Sequence, residues 1–588
     1  MLTALLLVLA AADPGWATPA EASDYRVTPT TEEALSYVRR VAAAAPQQVQ
    51  VQVFGRTGEG RELVSVTVSR DGQLDPAALH RAGRPVVLIQ NAIHAGEMDG
   101  TDACLALLRD LVVTRTRAAL LERAVIVIVP VYNADGHARR SAYNRINQNG
   151  PQEAGWRANG RNLNLNRDYM KADAPETRAF LQLWNRWLPD FFIDDHVTDG
   201  ADYQYDITWG LDDSPHAWGP HVEWEKKSLI PYFEESVARA GHLASAYIAL
   251  ADDTDPAKGL VLFPYSARFA TGYTSLQNRP GLLVEMHMLK DYKTRVTGNY
   301  ELLRAVLEVV NRDADRLVRM NRDADAARPG SVPLRVATDG SEPFRFRGYK
   351  YRRSLSEVSG AMRIEYAREP LELTLPRPSR WKVEKAAAPP AAYIVPAQWT
   401  QVIEVLAAHG LRLLRTARPW QGEVGAWRCD DLKWQEHPFE GRHPLFEGEG
   451  AAGRPGHLGA CAAVREQMWF PAGSAVVPMD QRAAKVAVHF LEPEAPDSAV
   501  AWGFFDPVFE QREGGEAYVL ENLARKMLGE QPALREEFEK RLAADKAFAP
   551  SPEARLDFFL RRSPWWDRRI GLLPVGRLSS LQGLPLAE

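Results

Sequence analysis

Cysteine is scarce, with three residues in a chain of 588, too few for the disulfide framework that holds small secreted domains together. Cys104 lies at helical spacing among Ala103, Leu105 and Leu108 and reads as a small buried hydrophobe. Cys429 and Cys461 are left either to pair in an oxidising compartment or to stay as two thiols. Beyond the N-terminus no stretch reaches the roughly 18 uninterrupted apolar residues of a membrane span, so no stable span is expected. Charge of one sign is lacking too: the net charge is -5, which gives no reason to expect nucleic acid or an anionic membrane as partner. There is no G-x-S-x-G elbow and no cysteine in a catalytic setting, which disfavours a nucleophilic hydrolase. No internal repeat occurs, and compositional bias is confined to AAAPPAA at Ala386 to Ala392.

What is present is globular material, 45% apolar and 25% charged, in a length that suggests roughly two to four domains. The opening MLTALLLVLAAADPGWATPAEAS reads as an export signal, although no Lys or Arg precedes its apolar run. Leu2 to Ala12 is too short to span a bilayer, and Ala20-Glu21-Ala22 offers a cleavage site. The expectation is a signal peptide over residues 1–22 and a secreted or periplasmic protein.

Gln48 to Val53 and Leu63 to Val68 alternate as half-wet strands, whereas Pro85 to Gln90, Ala124 to Val131 and Pro280 to Met286 are continuous apolar runs of buried strands. Asp190 to Ile193 is a short strand running into Asp194-Asp195-His196. Helical spacing marks Glu32 to Ala45, Thr101 to Val113, Glu176 to Trp187, a long helix within Tyr232 to Leu250, and Glu301 to Ala326. The alternation predicts an α/β fold with a mostly parallel mixed sheet covered by helices on both faces, in which sites sit at the carboxyl ends of strands. His94, Asn133, His196 and Glu285 lie at or just past such ends. From His137 to Tyr169 runs a long polar segment without periodicity, and a loop of that length is usually functional. After Pro333 the character changes. Leu334 to Arg380 reads as short alternating β segments, Ala386 to Ala392 as a linker, Gln398 to His409 as a helix, Val486 to Leu491 as a strand and Glu516 to Lys546 as charged helix. The domains are therefore read as 23–333, a β-rich module at 334–385 and a mixed α/β accessory region at 386–588. Trp381, Trp399, Trp420, Trp427, Trp434 and Trp469 are read as aromatic core of small β domains rather than a sugar platform.

His94 and Glu97, three apart on a loop after a buried strand, are two ordinary zinc ligands, a weak signal alone. In order, the chain continues with Asn133-Ala134-Asp135-Gly136, Trp156-Arg157, Asn164-Leu165-Asn166-Arg167, Asp195-His196 and Val284-Glu285-Met286. This series, over roughly Asp24 to Pro333, resembles the zinc metallocarboxypeptidases, the carboxypeptidase A-like M14 peptidase family; the second half takes no part in the likeness. The resemblance implies one Zn2+ per catalytic domain held by His94, Glu97 and His196, with Glu285 as catalytic base, Arg157 stabilising the oxyanion, and Asn166 and Arg167 binding the terminal carboxylate. The chemistry agrees. Two imidazoles and a carboxylate leave zinc an open position for an acidified water, a base serves proton transfer to the leaving amine, and a guanidinium grips a carboxylate through two parallel bonds.

The chain departs from the family's pattern in two places. An acidic residue two positions before the Asn-Arg pair usually orients the first zinc histidine; here it is Asn164, which can still accept from the imidazole N–H without a charge. The tyrosine that closes over substrate has Tyr273 as nearest candidate and Tyr265 as rival. His287 shares Glu285's strand face and either tunes it or packs; His216 and His221 read as loop histidines facing solvent. The reading is a zinc peptidase acting on peptide or protein C-termini. Its rivals are a zinc amidase or deacylase of the same architecture acting on muropeptides, and a non-catalytic peptide- or glycan-binding protein.

Overall fold

The computed structural model describes residues 14–430, 432–445 and 461–587. Eight strands form one mixed sheet in the order β1-β2-β4-β3-β5-β8-β6-β7. They are β1 (Val49–Arg56), β2 (Glu62–Val68), β3 (Val86–Gln90), β4 (Val125–Val129), β5 (Phe191–Thr198), β6 (Ile207–Gly210), β7 (Ala244–Ala246) and β8 (Gly281–His287). The central strands β4, β3, β5 and β8 pair in parallel, and antiparallel pairs flank them. Successive residues of a strand face opposite sides, and the two cores follow. Val87 and Ile89 of β3 pack with Leu105, Leu108, Leu303 and Val306 of helices Asp99–Val112 and Tyr292–Arg312. Val86 and Leu88 pack with Phe180, Leu181 and Trp184 of helix Pro175–Trp187. Both faces of β3 are thus covered, which is why its sequence is uniformly apolar.

Downstream, two expectations are corrected. Residues 334–385 are not short segments. β9 (Val332–Leu355) and β10 (Met362–Ala387) form one antiparallel arm. Prolines such as Pro343 and Pro376, which face each other in the ladder, read as breaks. A two-stranded ribbon consists of edges, and edges tolerate proline. Phe346 and Leu375 seat the arm on Tyr203, Tyr205, Ile248 and Leu260. Val486 to Leu491 belongs to a helix, Ala484–Leu491, not a strand. It is buried along its length, and a short run of uniform hydrophobicity carries no period to separate the two. The long helix expected within Tyr232 to Leu250 likewise stops at Arg239, before Gly241 at φ 93°.

A second sheet has the order β12-β15-β11-β16-β13-β14, from β11 (Ala392–Val395), β12 (Leu414–Arg415), β13 (Trp420–Cys429), β14 (Cys461–Phe470), β15 (Ala475–Pro478) and β16 (Gly576–Leu578). Cys429 and Cys461 join β13 to β14 as a disulfide, and Cys104 is buried and free. Ala387 ends β10 and Ala392 begins β11, both buried, with the irregular stretch 388–391 between them. Tyr393, Val405, Val486 and Trp502 share one core with Trp184 and Tyr273.

The apolar run of the expected export signal, Leu2 to Ala12, lies outside the described residues. Its expected cleavage site falls in a short helix, Pro19–Ala22, where Ala20 is buried and Glu21 pairs with Arg109 at 2.5 Å. Among the described residues no helix is long and apolar enough to cross a membrane.

Candidate metal centre

β3 ends at Gln90, and Ala92, at φ 55°, turns the chain into the loop that carries His94 and Glu97. Left-handed backbone at an alanine is strained and is held by its surroundings. Gly96 lets the 145–155 segment close over this loop, since a Cβ there would lie 2.8 Å from the Gly155 carbonyl and 2.7 Å from Arg145. His196 comes from β5, and its register partner on β8 is Glu285. Folding therefore brings three carboxyl-terminal strand ends together.

His94 Nδ1 lies 3.1 Å from Glu97 Oε2, His196 Nδ1 3.0 Å from the same oxygen, and the two Nδ1 atoms 3.1 Å apart. All three residues are buried. The far nitrogens are held: His94 Nε2 donates to Asn164 Oδ1 at 3.1 Å and His196 Nε2 to Asp194 Oδ2 at 2.8 Å. With both Nε2 atoms as donors, both Nδ1 lone pairs and a carboxylate oxygen face one point, an arrangement that a cation satisfies. Among the described residues this is the group of His and acidic side chains whose donor atoms converge, all within 4.8 Å. The donor set of two imidazoles and one carboxylate suits zinc with an open position.

The surroundings ask for positive charge at the same point. Burial alone would raise the Glu97 carboxyl, but His94, Arg145 and His196 hold it well below the usual range. Burial alone would lower the His196 imidazole, but Asp194, Glu97 and Glu285 hold it well above normal. His94 is pushed down to about 3 by burial, then by Arg157. Arg145 touches Glu97 Oε1 at 2.9 Å and Arg157 at 3.4 Å.

These groups open into one cavity of about 660 Å³, lined also by Asn166, Arg167, Glu285, Tyr247 and Tyr265. Glu285 is half-buried, and its Oε2 has no partner among the described residues. Burial, then the charges of Glu97, Asp199 and Asp194, raise its carboxyl to about 8 against the pull of His196. Asn166 accepts from Ala270 N–H through Oδ1 at 3.1 Å, with Nδ2 3.3 Å from His196 Nε2. Arg167 donates to the Asn166 carbonyl at 2.8 Å and lies over the Phe269 ring at 4.4 Å. Neither contact neutralises it, and burial followed by Arg157 lowers it to about 10. The position favours an incoming anion.

Tyr273 does not belong to this cavity. It is fully buried, with its hydroxyl bonded to His409 at 2.9 Å and to Gln277 at 2.6 Å. It packs between Tyr169 and Trp184. Tyr265 lines the cavity instead, its hydroxyl fitting where a Cβ on Gly210 would come within 2.1 Å. His287 packs: it stacks on Tyr203 at 4.2 Å and bonds to Asp202 at 3.1 Å. His216 and His221 are buried rather than solvated. Sequence reasoning missed Asp194 and Arg145, and the arm residues Glu342, Arg377 and Ser379, which also line the cavity. Asp194 was accessible, since residues two apart on a strand share a face; the arm residues carried no such signal.

The fold and site define an α/β domain in which three side chains, His94, Glu97 and His196, are placed to hold a metal ion. Residues 34–199 match the model of the zinc carboxypeptidase (M14 peptidase) family. The chain is 22% identical over 497 residues to carboxypeptidase 2 of Trichophyton tonsurans, covering 82% of this chain and 85% of that one. Carboxypeptidase 2 of Trichophyton rubrum aligns at 21% over 496 residues, covering 82% and 85%. Alignments of that length reach past residue 333, into the half that carries no motif. Among solved structures, a metallo-carboxypeptidase from Burkholderia cenocepacia superposes with a TM-score of 0.36 at 19% identity, covering 48% of this chain and 70% of that one.

Proposed function

We propose that the chain is a zinc-dependent carboxypeptidase, exported from the cytoplasm, that releases C-terminal amino acids from peptides or proteins. The observation that carries the reading is Arg167, a buried guanidinium with no direct ion pair among the described residues, in the same cavity as Glu285 and the metal triad. His94, Glu97 and His196 would hold the ion. When bound, zinc supplies a Lewis acid for the scissile carbonyl and lowers the pKa of water. Arg167 and Asn166 bind the substrate's terminal carboxylate and fix which bond is presented. Glu285, its Oε2 unpartnered, takes the proton from the attacking water and passes it to the leaving amine. Arg157, whose side chain is 41% exposed at the cavity, donates to the carbonyl oxygen as negative charge develops. Tyr265 and Tyr247 bound the space around the terminal side chain. The disulfide in the C-terminal half supports an oxidising compartment.

The test compares a peptide with its C-terminal amide. Wild-type protein is expected to cleave the free acid about 10- to 100-fold faster, the worth of a buried charge-assisted pair, and Arg167→Ala to lose most of that preference. Chelation is expected to abolish both activities and zinc to restore them. Equal rates on acid and amide in the wild type would sink the exopeptidase reading. Preference for muropeptides over plain peptides would favour an amidase.

A further inference from the structure

The first histidine of the centre is backed by an amide where the family resemblance places a carboxylate, yet a carboxylate stands directly behind that amide. The Asn164 N–H donates to Glu440 Oε2 at 2.8 Å, across 276 residues of sequence. Asn164 Oδ1 in turn accepts from His94 Nε2 at 3.1 Å and from the Asn166 N–H at 3.0 Å. Glu440 is therefore one residue removed from a metal ligand and belongs to the half of the chain without catalytic motifs.

Its placement is strained. Phe439 to Arg442 close a two-residue turn, with Arg442 N–H on the Phe439 carbonyl at 3.1 Å and Phe439 N–H on the Arg442 carbonyl at 2.8 Å. Glu440 and Gly441 have φ of 50° and 77°. Turns with both central residues left-handed prefer Asn or Asp followed by Gly, and a longer side chain in the first position is held there against its preference. The turn is pinned at both ends. Arg442 forks onto Asp173 with two contacts of 2.7 Å, and Phe439 stacks on Trp502 at 6.2 Å and 16°. Asp173 lies a few residues beyond Arg167, so the clamp grips the segment that carries Asn164, Asn166 and Arg167.

We propose that Glu440 is a positioning residue of the metal centre: from the C-terminal half it supplies the negative charge that Asn164 lacks, strengthening His94 as a ligand and fixing the Asn166-Arg167 pair. An anion on the Asn164 N–H polarises that amide and the His94 N–H bond that depends on it, as carboxylates behind ligating histidines do. The proposal rests on the zinc reading above.

The experiment measures zinc affinity of the full chain, stripped and then equilibrated in zinc buffers set by a competing chelator, with bound metal counted directly. Glu440→Gln keeps an acceptor for Asn164 and removes only the charge. It is expected to weaken zinc about 10-fold, the lower end for loss of an outer partner. Adding Asn164→Asp to that variant is expected to return the affinity to within about 3-fold of wild type, because the charge is restored one bond closer. Glu440→Gly relieves the left-handed strain and is expected to keep or raise the unfolding midpoint while zinc affinity falls. Unchanged affinity in Glu440→Gln, or a loss that Asn164→Asp does not rescue, would overturn the proposal while leaving the zinc reading intact. Failure of the wild-type chain to bind zinc would overturn both.

Discussion

In the proposed reaction Glu285 is the residue on which the chemistry depends most narrowly. It touches none of the ligand positions by sequence and faces them only because β5 and β8 pair His196 with it. Glu285→Gln keeps the shape and removes the basic oxygen. It is expected to lower kcat by about 10²–10⁴-fold, the usual worth of a positioned base, with KM and zinc content nearly unchanged. A variant that lost zinc as well would show Glu285 to be holding the ion rather than moving a proton. At this scale much was legible. Residue type names the donors, and motif order joined His94 and Glu97 to His196 and to Glu285. Tyr273 shows where this stops. The tyrosine nearest to Glu285 in sequence points into the core, because its helix, Ala270–Leu276, is buried on all sides. Tyr265, on the irregular stretch before it, faces the cavity. No pattern of spacing distinguishes the two, since only the tertiary course of that segment decides which hydroxyl meets solvent.

Elements of the first half could be read because the central strands are covered on both faces, the edge strand β1 alternates, and the helices present an apolar stripe. The second half departs from this. Its arm is a ribbon with two wet faces for much of its length, and its helix Ala484–Leu491 is short and buried from Val486 to Leu491, His489 included. The disulfide between β13 and β14 is the element there with a calculable consequence. The two cysteines, 32 residues apart, close a loop that contains the Glu440 turn. Closing a loop of that size restrains the unfolded chain by about 3–4 kcal/mol. Replacing Cys429 and Cys461 by serine is therefore expected to lower the denaturant midpoint by an amount equivalent to a few kcal/mol at most. Zinc affinity should fall with it, because the turn then keeps its non-covalent contacts, Arg442 on Asp173 and Phe439 on Trp502 among them, without the covalent closure. A midpoint identical to wild type would mean that the remainder of β13 and β14 already restrains the chain.

The molecule as a whole is held by a contact between halves that is rich in buried neutral histidines. His409 bonds to the Tyr273 hydroxyl at 2.9 Å and to the Met170 carbonyl at 3.0 Å, and burial lowers it to about 4. His216 and His489 meet edge to face at 5.2 Å. Burial, then Lys485, lowers His216 to about 4, and burial, then His216 and Lys485, lowers His489 well below normal. Each of these groups takes up a proton near pH 6.5 when unfolded and resists it when folded. Their contribution is complete above about pH 6.5 and is lost as pH falls toward the folded value. Asp212 works the other way: burial raises it to about 6, so its share is present at low pH and fades as pH rises through 4 to 6. Between pH 7.5 and 5 each of these histidines therefore lowers stability, and Asp212 opposes them. His409→Gln isolates one of them. A single imidazole shifted from 6.5 to about 4 accounts for about 2 kcal/mol of destabilisation at pH 5. The drop in unfolding free energy between pH 7.5 and 5, measured with urea by tryptophan fluorescence on zinc-stripped protein, should therefore be about 2 kcal/mol smaller in the variant. Stripping the metal matters, since zinc release by protonation of His94 and His196 would add its own acid limb. An equal drop in the two proteins would mean that His409 is already protonated in the folded chain, and that its bonds to Tyr273 and Met170 tolerate the charge.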